Sequence, residues 1–249
     1  SRARLRDTVR GTSMRRIALA LLALLALGLA AAWWLHEIGW LQPNRRAAAR
    51  FPVHGIDVSH HQGAIDWPAV RGDGVAFAYV KATEGEDWID PRFEENWSGP
   101  RGAYHFFTFC TPGLPQAENF LAVLGDDIGE LPPAADVEFT GNCTRWESIE
   151  WIRAELAAFL ERVEAGAGRP PIVYLTRASF DRIVAGHFPE HGLWVRNVFL
   201  QPSQRRYGRW LIWQYSHEGR VAGIERPVDL NVFWGPPAEL EGLIRRPAP

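Results

Sequence analysis

Within Pro132–Cys143, PPAADVEFTGNC, an aspartate and a glutamate stand two positions apart in an otherwise apolar run. A strand buried on both faces reads as continuous Val, Ile and Leu, so acids there need a reason. Side chains alternate along a strand, which puts Asp136 and Glu138 on one face with Cα atoms roughly 6–7 Å apart. Two carboxyls facing one space do not both ionise easily, because desolvation and mutual repulsion raise at least one pKa. An acid that keeps its proton beside one that loses it could serve general acid–base catalysis. The same spacing would also suit an edge strand with a solvated polar face, or two acids paired with arginine.

The surrounding apolar runs say what must hold such a pair. Strands are expected at 53–59, 75–83, 102–107, 134–139, 172–176, 193–198, 210–215 and 228–233, with helical patterns between the earlier ones. The clearest helix follows Cys143. Thr144 and Glu147 have capping-box spacing, Ile149, Ile152, Leu156, Leu160 and Val163 make one apolar stripe, and Gly166 is a natural stop. Shorter helices are expected at 116–124 and 180–184. Eight strands with interspersed helices imply a barrel of parallel type, irregular late in the chain. In such a barrel the C-terminal strand ends build the site. Asp57, Lys81, Tyr104, Asp136, Glu138, Tyr174 and Asp229 all lie near strand ends. Any one of them alone reads as structural; their convergence on one mouth reads as a site.

Charge and composition narrow the classes. A net charge of −2 gives no basic surface for a nucleic-acid partner. The twelve tryptophans suit sugar faces and membrane interfaces as well as a core. Residues 17–35 carry no charge over a length of roughly 28 Å of helix, enough to cross a bilayer. Arg15 and Arg16 precede this run and Trp33 and Trp34 close it, so the remainder is expected outside the cytoplasm. A cleaved signal peptide ending near Ala30–Ala32 is the competing reading, and the bulky Trp pair favours a retained anchor. Met14, the only methionine, is where translation is expected to start, with residues 1–13 as a non-native extension. The expected organisation is therefore an N-terminal segment 1–16, a single-pass span 17–35, a stem 36–51, a barrel 52–240 and a tail 241–249. Cys110 and Cys143 stand just past neighbouring strands three and four, and in an extracytoplasmic domain they are expected to form a disulfide.

The segments GIDVSHHQGAIDW, YVKATEG, DPRFEENW, GAYHF, DVEF, IWQYS and VDLN resemble glycoside hydrolase family 25, the Chalaropsis-type lysozymes. They occur in the family's order and span essentially the whole chain after the stem. The resemblance implies an α/β fold, an irregular TIM-like (β/α) barrel of eight strands with few, short late helices. It also implies N-acetylmuramidase activity on peptidoglycan. Carried over by motif, Glu138, Asp136 and Asp57 are the catalytic residues, with Asp229 nearby to bind substrate. Lys81, Tyr104, Tyr174, Trp194 and Gln214 would bind substrate. One departure is that Asn96 reaches Gly102 through only WSGPR, where the family has a longer helix; that leaves a stub of helix in one wall. A second is His61, where the family often has an aromatic residue.

Other chemistries were weighed against this. His54, His60 and His61 flank Asp57, but adjacent residues on a strand point to opposite faces, so no metal and no cofactor is expected. A chitinase shares a DxE pair but not GIDVSHHQG or VDLN. A membrane-anchored peptidoglycan-binding protein with weak or lost catalysis would have no need of paired acids. The expected mechanism makes Glu138 the general acid, its pKa raised in a water-poor mouth. Asp136 then steadies the substrate's 2-acetamido group in a substrate-assisted step. The expected partners are glycan strands and, through the N-terminal helix, the membrane; the expected state is a monomer.

Overall fold

The computed structural model describes residues 2–37, 44–97 and 101–244. It divides into two compact units, Ser1–Gln42 and Pro43–Pro249. In the first, one helix runs from Arg2 to Glu37. Its stretch Met14–Leu35 is long and apolar enough to be a candidate membrane span.

The second unit is a closed barrel. Its strands are β1 (His54–Val58), β2 (Phe77–Glu84), β3 (Trp88–Ile89), β4 (Arg101–Phe106), β5 (Ala134–Val137), β6 (Ile172–Leu175), β7 (Leu193–Arg196), β8 (Ile212–Gly219) and β9 (Val228–Phe233). The order around the sheet is β1-β9-β8-β7-β6-β5-β4-β2, closed by a β1–β2 pairing, so eight strands make the wall. The short β3, not expected from the sequence, pairs only with β2 and stays outside the ring. The wall is parallel from β1 through β2, β4, β5, β6 and β7 to β8. The last strand corrects the parallel expectation: β9 runs antiparallel to both β8 and β1. Only residues 220–227 join β8 to β9. That is too short for the dozen or more residues of a parallel crossover, so the chain turns straight back.

Alternation along each strand separates two apolar layers. Outward residues such as Ile56, Val80, Ala103, Val137, Val173 and Val195 pack under the helices. Inward residues fill the barrel itself, with Phe77, Tyr79, Ile172, Trp194, Ile212 and Phe233 in its lower half. Space there is tight: a Cβ on Gly102 would meet the Tyr79 ring at 2.4 Å. Packing of this kind makes the barrel a plug below and a site only at its upper rim.

The helix expected after Cys143 runs Ile149–Ala167, and its ends differ from the sequence reading. Ser148, not Thr144, caps it, accepting from Trp151 N at 3.0 Å. Gly168 ends it in the left-handed conformation (φ 67°), its N–H bonded to Glu164 O at 2.8 Å. Gly166 instead lets this helix approach the one at Gly113–Leu124, since a Cβ there would lie 2.7 Å from Leu121. The segment Phe180–Val184 forms a π turn following the helical turn Arg177–Ser179.

Where the family's longer helix is missing, the chain has Phe93–Asn96 as a single turn. Residues 98–100 of that connection lie outside the described residues. The flanks are braced electrostatically: Arg101 stacks on Trp97 at 4.3 Å and pairs with Asp127 at 2.6 Å and Glu130 at 2.9 Å. Residues 44–51, expected in the stem, pack onto the barrel unit. Ala48 is buried, Asn44 Nδ2 donates to Asn197 O at 3.0 Å, and the Phe51 ring lies 5.6 Å from Trp210. Of the remaining expected stem, 38–43 lie outside the described residues, as do 245–249 of the expected tail.

Candidate active site

Alternation that buries Ala135 and Val137 outward turns Asp136, on β5, and Glu138, just past its end, into the barrel mouth. They line a pit of about 110 Å³ with Asp57, Tyr104, Tyr174, Trp194, Gln214 and Asp229. All the candidate residues except Lys81 therefore meet at one place. Lys81 sits at the rim, held by Glu84 at 2.6 Å and lying over Trp88 and Phe106 at 4.8 and 5.0 Å.

Asp57 is the most heavily tied of the acids. Asn231 Nδ2 donates to its Oδ2 at 2.7 Å, and Gln214 Nε2 donates to both oxygens at 3.0 and 3.2 Å. Each amide is itself oriented from the far side: Tyr174 Oη donates to Gln214 Oε1 at 3.0 Å, and Trp194 Nε1 to Asn231 Oδ1 at 2.8 Å. Asp229 is the cross-strand partner of Asp57, and their carboxyls share a hydrogen bond. One of the two must therefore carry a proton. Burial and the charge of Asp57 hold Asp229 well above the usual carboxylate range. Burial raises Asp57 too, but its amide donors favour the ionised form. Of the two, Asp229 is the one pushed further up. It reaches the mouth from the N-terminal end of β9, not from a C-terminal end as expected, because that strand is reversed.

Asp136 differs from Asp57 in having an unanswered atom. It is 8% exposed, and its Oδ1 is buried with no hydrogen-bond partner among the described residues. Burial, then the charge of Glu138, pushes its pKa well up. Glu138 is half-buried and also raised, first by burial; Arg196 and Lys81 partly offset this and Asp57 adds to it. Each acid thus favours its protonated form beside the other, Asp136 the more strongly. Burial likewise keeps Tyr104 and Tyr174 neutral, as hydrogen-bond donors.

The loop carrying Glu138 is clamped. Asn142 Nδ2 donates to Glu138 O and Phe107 O, each at 2.9 Å, while its Oδ1 accepts from Phe109 N at 2.9 Å. One residue on, Cys143 is bonded to Cys110 across a Cα–Cα distance of 6.2 Å, the expected disulfide. The loops after β4 and β5 are in this way joined twice beside the candidate acid.

Sequence reasoning missed Asn231, Asn142 and Arg196. Asn231 and Arg196 were findable by alternation, each lying two residues beyond a chosen one, Asp229 and Trp194. His60 and His61 are not on a strand but in the turn His60–Gln62, with rings 4.0 Å apart. His60 Nδ1 contacts Asp90 at 2.8 Å, a buried acid that also accepts from the His60 backbone N–H at 3.0 Å. His61 has its pKa lowered by burial.

Known proteins resemble this chain along most of its length. The family described as Glycosyl hydrolases family 25 matches residues 56–224. Among curated proteins, Escherichia coli YegX (strain CFT073) is 36% identical over 226 residues, covering 85% of this chain and 81% of that protein. Lysozyme M1 of Streptomyces globisporus is 34% identical over 213 residues, covering 79% and 72%. Among solved structures, a family 25 glycosyl hydrolase from Bacillus anthracis superposes with a TM-score of 0.72 at 34% identity, over 78% of this chain and 94% of that one.

Proposed function

The chain belongs to the family 25 glycosyl hydrolases, and from that premise we propose that it is a lysozyme-type N-acetylmuramidase with Glu138 as general acid and Asp136 as partner of the substrate's acetamido group. The bond cut is the β-1,4 linkage between N-acetylmuramic acid and N-acetylglucosamine in peptidoglycan. The observation that carries the assignment of roles is the buried, unpartnered Oδ1 of Asp136 at the wall of the pit. An orphan acceptor there is satisfied by a donor from the substrate, and the 2-acetamido N–H is such a donor.

The chemistry follows from where the pair's proton can sit. To accept the N–H, Asp136 must give up its own proton, and Glu138, also raised by burial, takes it. Glu138 then protonates the glycosidic oxygen as the C–O bond breaks, while the acetamido carbonyl oxygen closes on the anomeric carbon. The Asp136 carboxylate steadies the positive charge that this develops. Water, giving a proton to Glu138, then attacks the anomeric carbon as its bond to the acetamido oxygen breaks, which restores the acetamido group and leaves the configuration retained. Asp57, fixed by Asn231 and Gln214, and its cross-strand neighbour Asp229 hold the sugar, and Trp194, Tyr104 and Tyr174 shape its seat. Met14–Leu35 is proposed as a single-pass anchor, with residues 52–240 as the catalytic barrel outside the cytoplasm.

Two variants separate the two acids. Glu138→Gln should lose about 10²–10⁴-fold on sacculi yet still cleave an aryl glycoside of an N-acetyl sugar, whose leaving group departs without a proton. Asp136→Asn should lose both activities, because ring-side charge must be stabilised whatever leaves. If Asp136→Asn keeps the aryl activity and Glu138→Gln loses it, the roles are reversed. A folded wild type that leaves sacculi intact would point to the binding-protein reading.

A further inference from the structure

Arg196 has no place in that mechanism, yet it stands in the mouth. It ends β7 in register with Gln214, and alternation from the inward Trp194 points it into the barrel, one layer above the pit's floor. Glu138 lies two residues above Asp136 and belongs to the same layer. Other cations near the rim are occupied: Lys81 by Glu84, Arg206 by Asp181, and Arg182 by the rings of Phe139 and Trp146. The half-buried guanidinium of Arg196 makes no hydrogen bond and no ion pair with a described residue. Of the acids it faces, Asp57 already takes hydrogen bonds from Asn231 and Gln214, and Asp229 is pushed well above the usual carboxylate range by burial. The field of Arg196 nonetheless reaches Glu138, Asp57 and Asp229.

A planar fork of donors, half-buried and without a hydrogen-bonded partner among the described residues, fits a carboxylate with two parallel N–H···O bonds. The substrate read above supplies one. N-acetylmuramic acid carries a 3-O-lactyl group, whose carboxyl is an anion when free and a neutral amide when a peptide is attached. An anionic sugar entering a mouth lined by carboxyls also needs a cation between like charges. We propose that Arg196 is a specificity-determining residue that binds the free lactyl carboxylate, so that the enzyme prefers glycan strands stripped of their peptides. This rests on the muramidase reading for the identity of the sugar.

A charge-assisted hydrogen bond exceeds a neutral one by enough to favour the free acid about tenfold. The test compares two tetrasaccharides of alternating N-acetylglucosamine and N-acetylmuramic acid, one with free lactyl groups and one with them capped as N-methylamides. Binding is measured by calorimetry with the full chain in detergent, on a Glu138→Gln background so that cleavage does not consume the ligand. Arg196→Gln should bring the roughly tenfold preference to near unity, and Arg196→Lys should restore part of it. A ratio unchanged by Arg196→Gln, in a variant with native circular dichroism, overturns the proposal. With Glu138 intact, an Arg196→Gln variant that changes only the pH profile of cleavage, equally on both ligands, overturns it as well and leaves Arg196 as a modifier of Glu138. Failure of the muramidase reading is seen separately, as no cleavage of either sugar by the wild type, and the binding ratio is still read in that case.

Discussion

Replacing Cys110 and Cys143 together by alanine should destabilise the barrel without disabling it. The disulfide closes a separation of 33 residues. The chain-entropy relation then gives about 3.7 kcal/mol of stabilisation through the unfolded state. For a unit of the size of Pro43–Pro249, that corresponds to a thermal midpoint lower by roughly 7–15 °C. Catalysis should survive at room temperature, because Asn142 still holds the Glu138 carbonyl and ties the loops after β4 and β5 together. Near-ultraviolet circular dichroism follows the buried tryptophans Trp194, Trp210 and Trp213 through the transition, and sacculus clearing reports activity. The contrasting variant is Asn142→Ala, which keeps the disulfide but orphans the buried Phe109 N–H, at a cost of about 1–3 kcal/mol. It should lose activity even where it remains folded. A double cysteine variant whose midpoint does not move, or one that is folded and inactive, would refute this division of labour.

Buried acids with raised pKa values make a prediction of definite sign. Asp229 and Asp136 bind protons more tightly folded than unfolded. Their contribution is complete below about pH 4, the unfolded value, and is lost as pH rises through the raised folded values. Asp229→Asn, which still donates to Asp57, should therefore raise the midpoint at neutral pH and flatten its fall relative to wild type, while activity drops; a variant with an unchanged slope contradicts this. An anchor at Met14–Leu35, as proposed, predicts that native protein resists carbonate extraction, with its barrel open to protease outside the cytoplasm. An N-terminus mapped to residue 33 would identify a cleaved signal instead.

Strand positions and the acidic pair were legible because alternation writes burial directly into sequence. Ala135 and Val137 outward leave Asp136 and Glu138 no other face. The disulfide was legible because strand order fixes which loops adjoin. What failed depended on three-dimensional neighbours. Thr144 and Glu147 have capping spacing, but Ser148 is the residue placed to receive Trp151 N. Gly166 reads as a stop, yet its role is the close approach to Leu121, a residue 45 positions away in sequence. The reversed β9 was not legible, because the expected strand ended at 215 and left twelve residues before 228, whereas β8 runs on to Gly219 and leaves only 220–227. Asn231 and Arg196 were passed over because an amide and an arginine near a strand end look like ordinary surface polarity until the register places them beside Asp57 and Gln214.

The central claim, cleavage on the reducing side of N-acetylmuramic acid by Glu138, is tested most directly by mass spectrometry of borohydride-reduced fragments released from purified sacculi. Wild-type protein should give fragments ending in reduced N-acetylmuramic acid, and Glu138→Gln, folded and at equal concentration, should give none above background. Fragments ending in reduced N-acetylglucosamine, or equal release by the Glu138 variant, would contradict it.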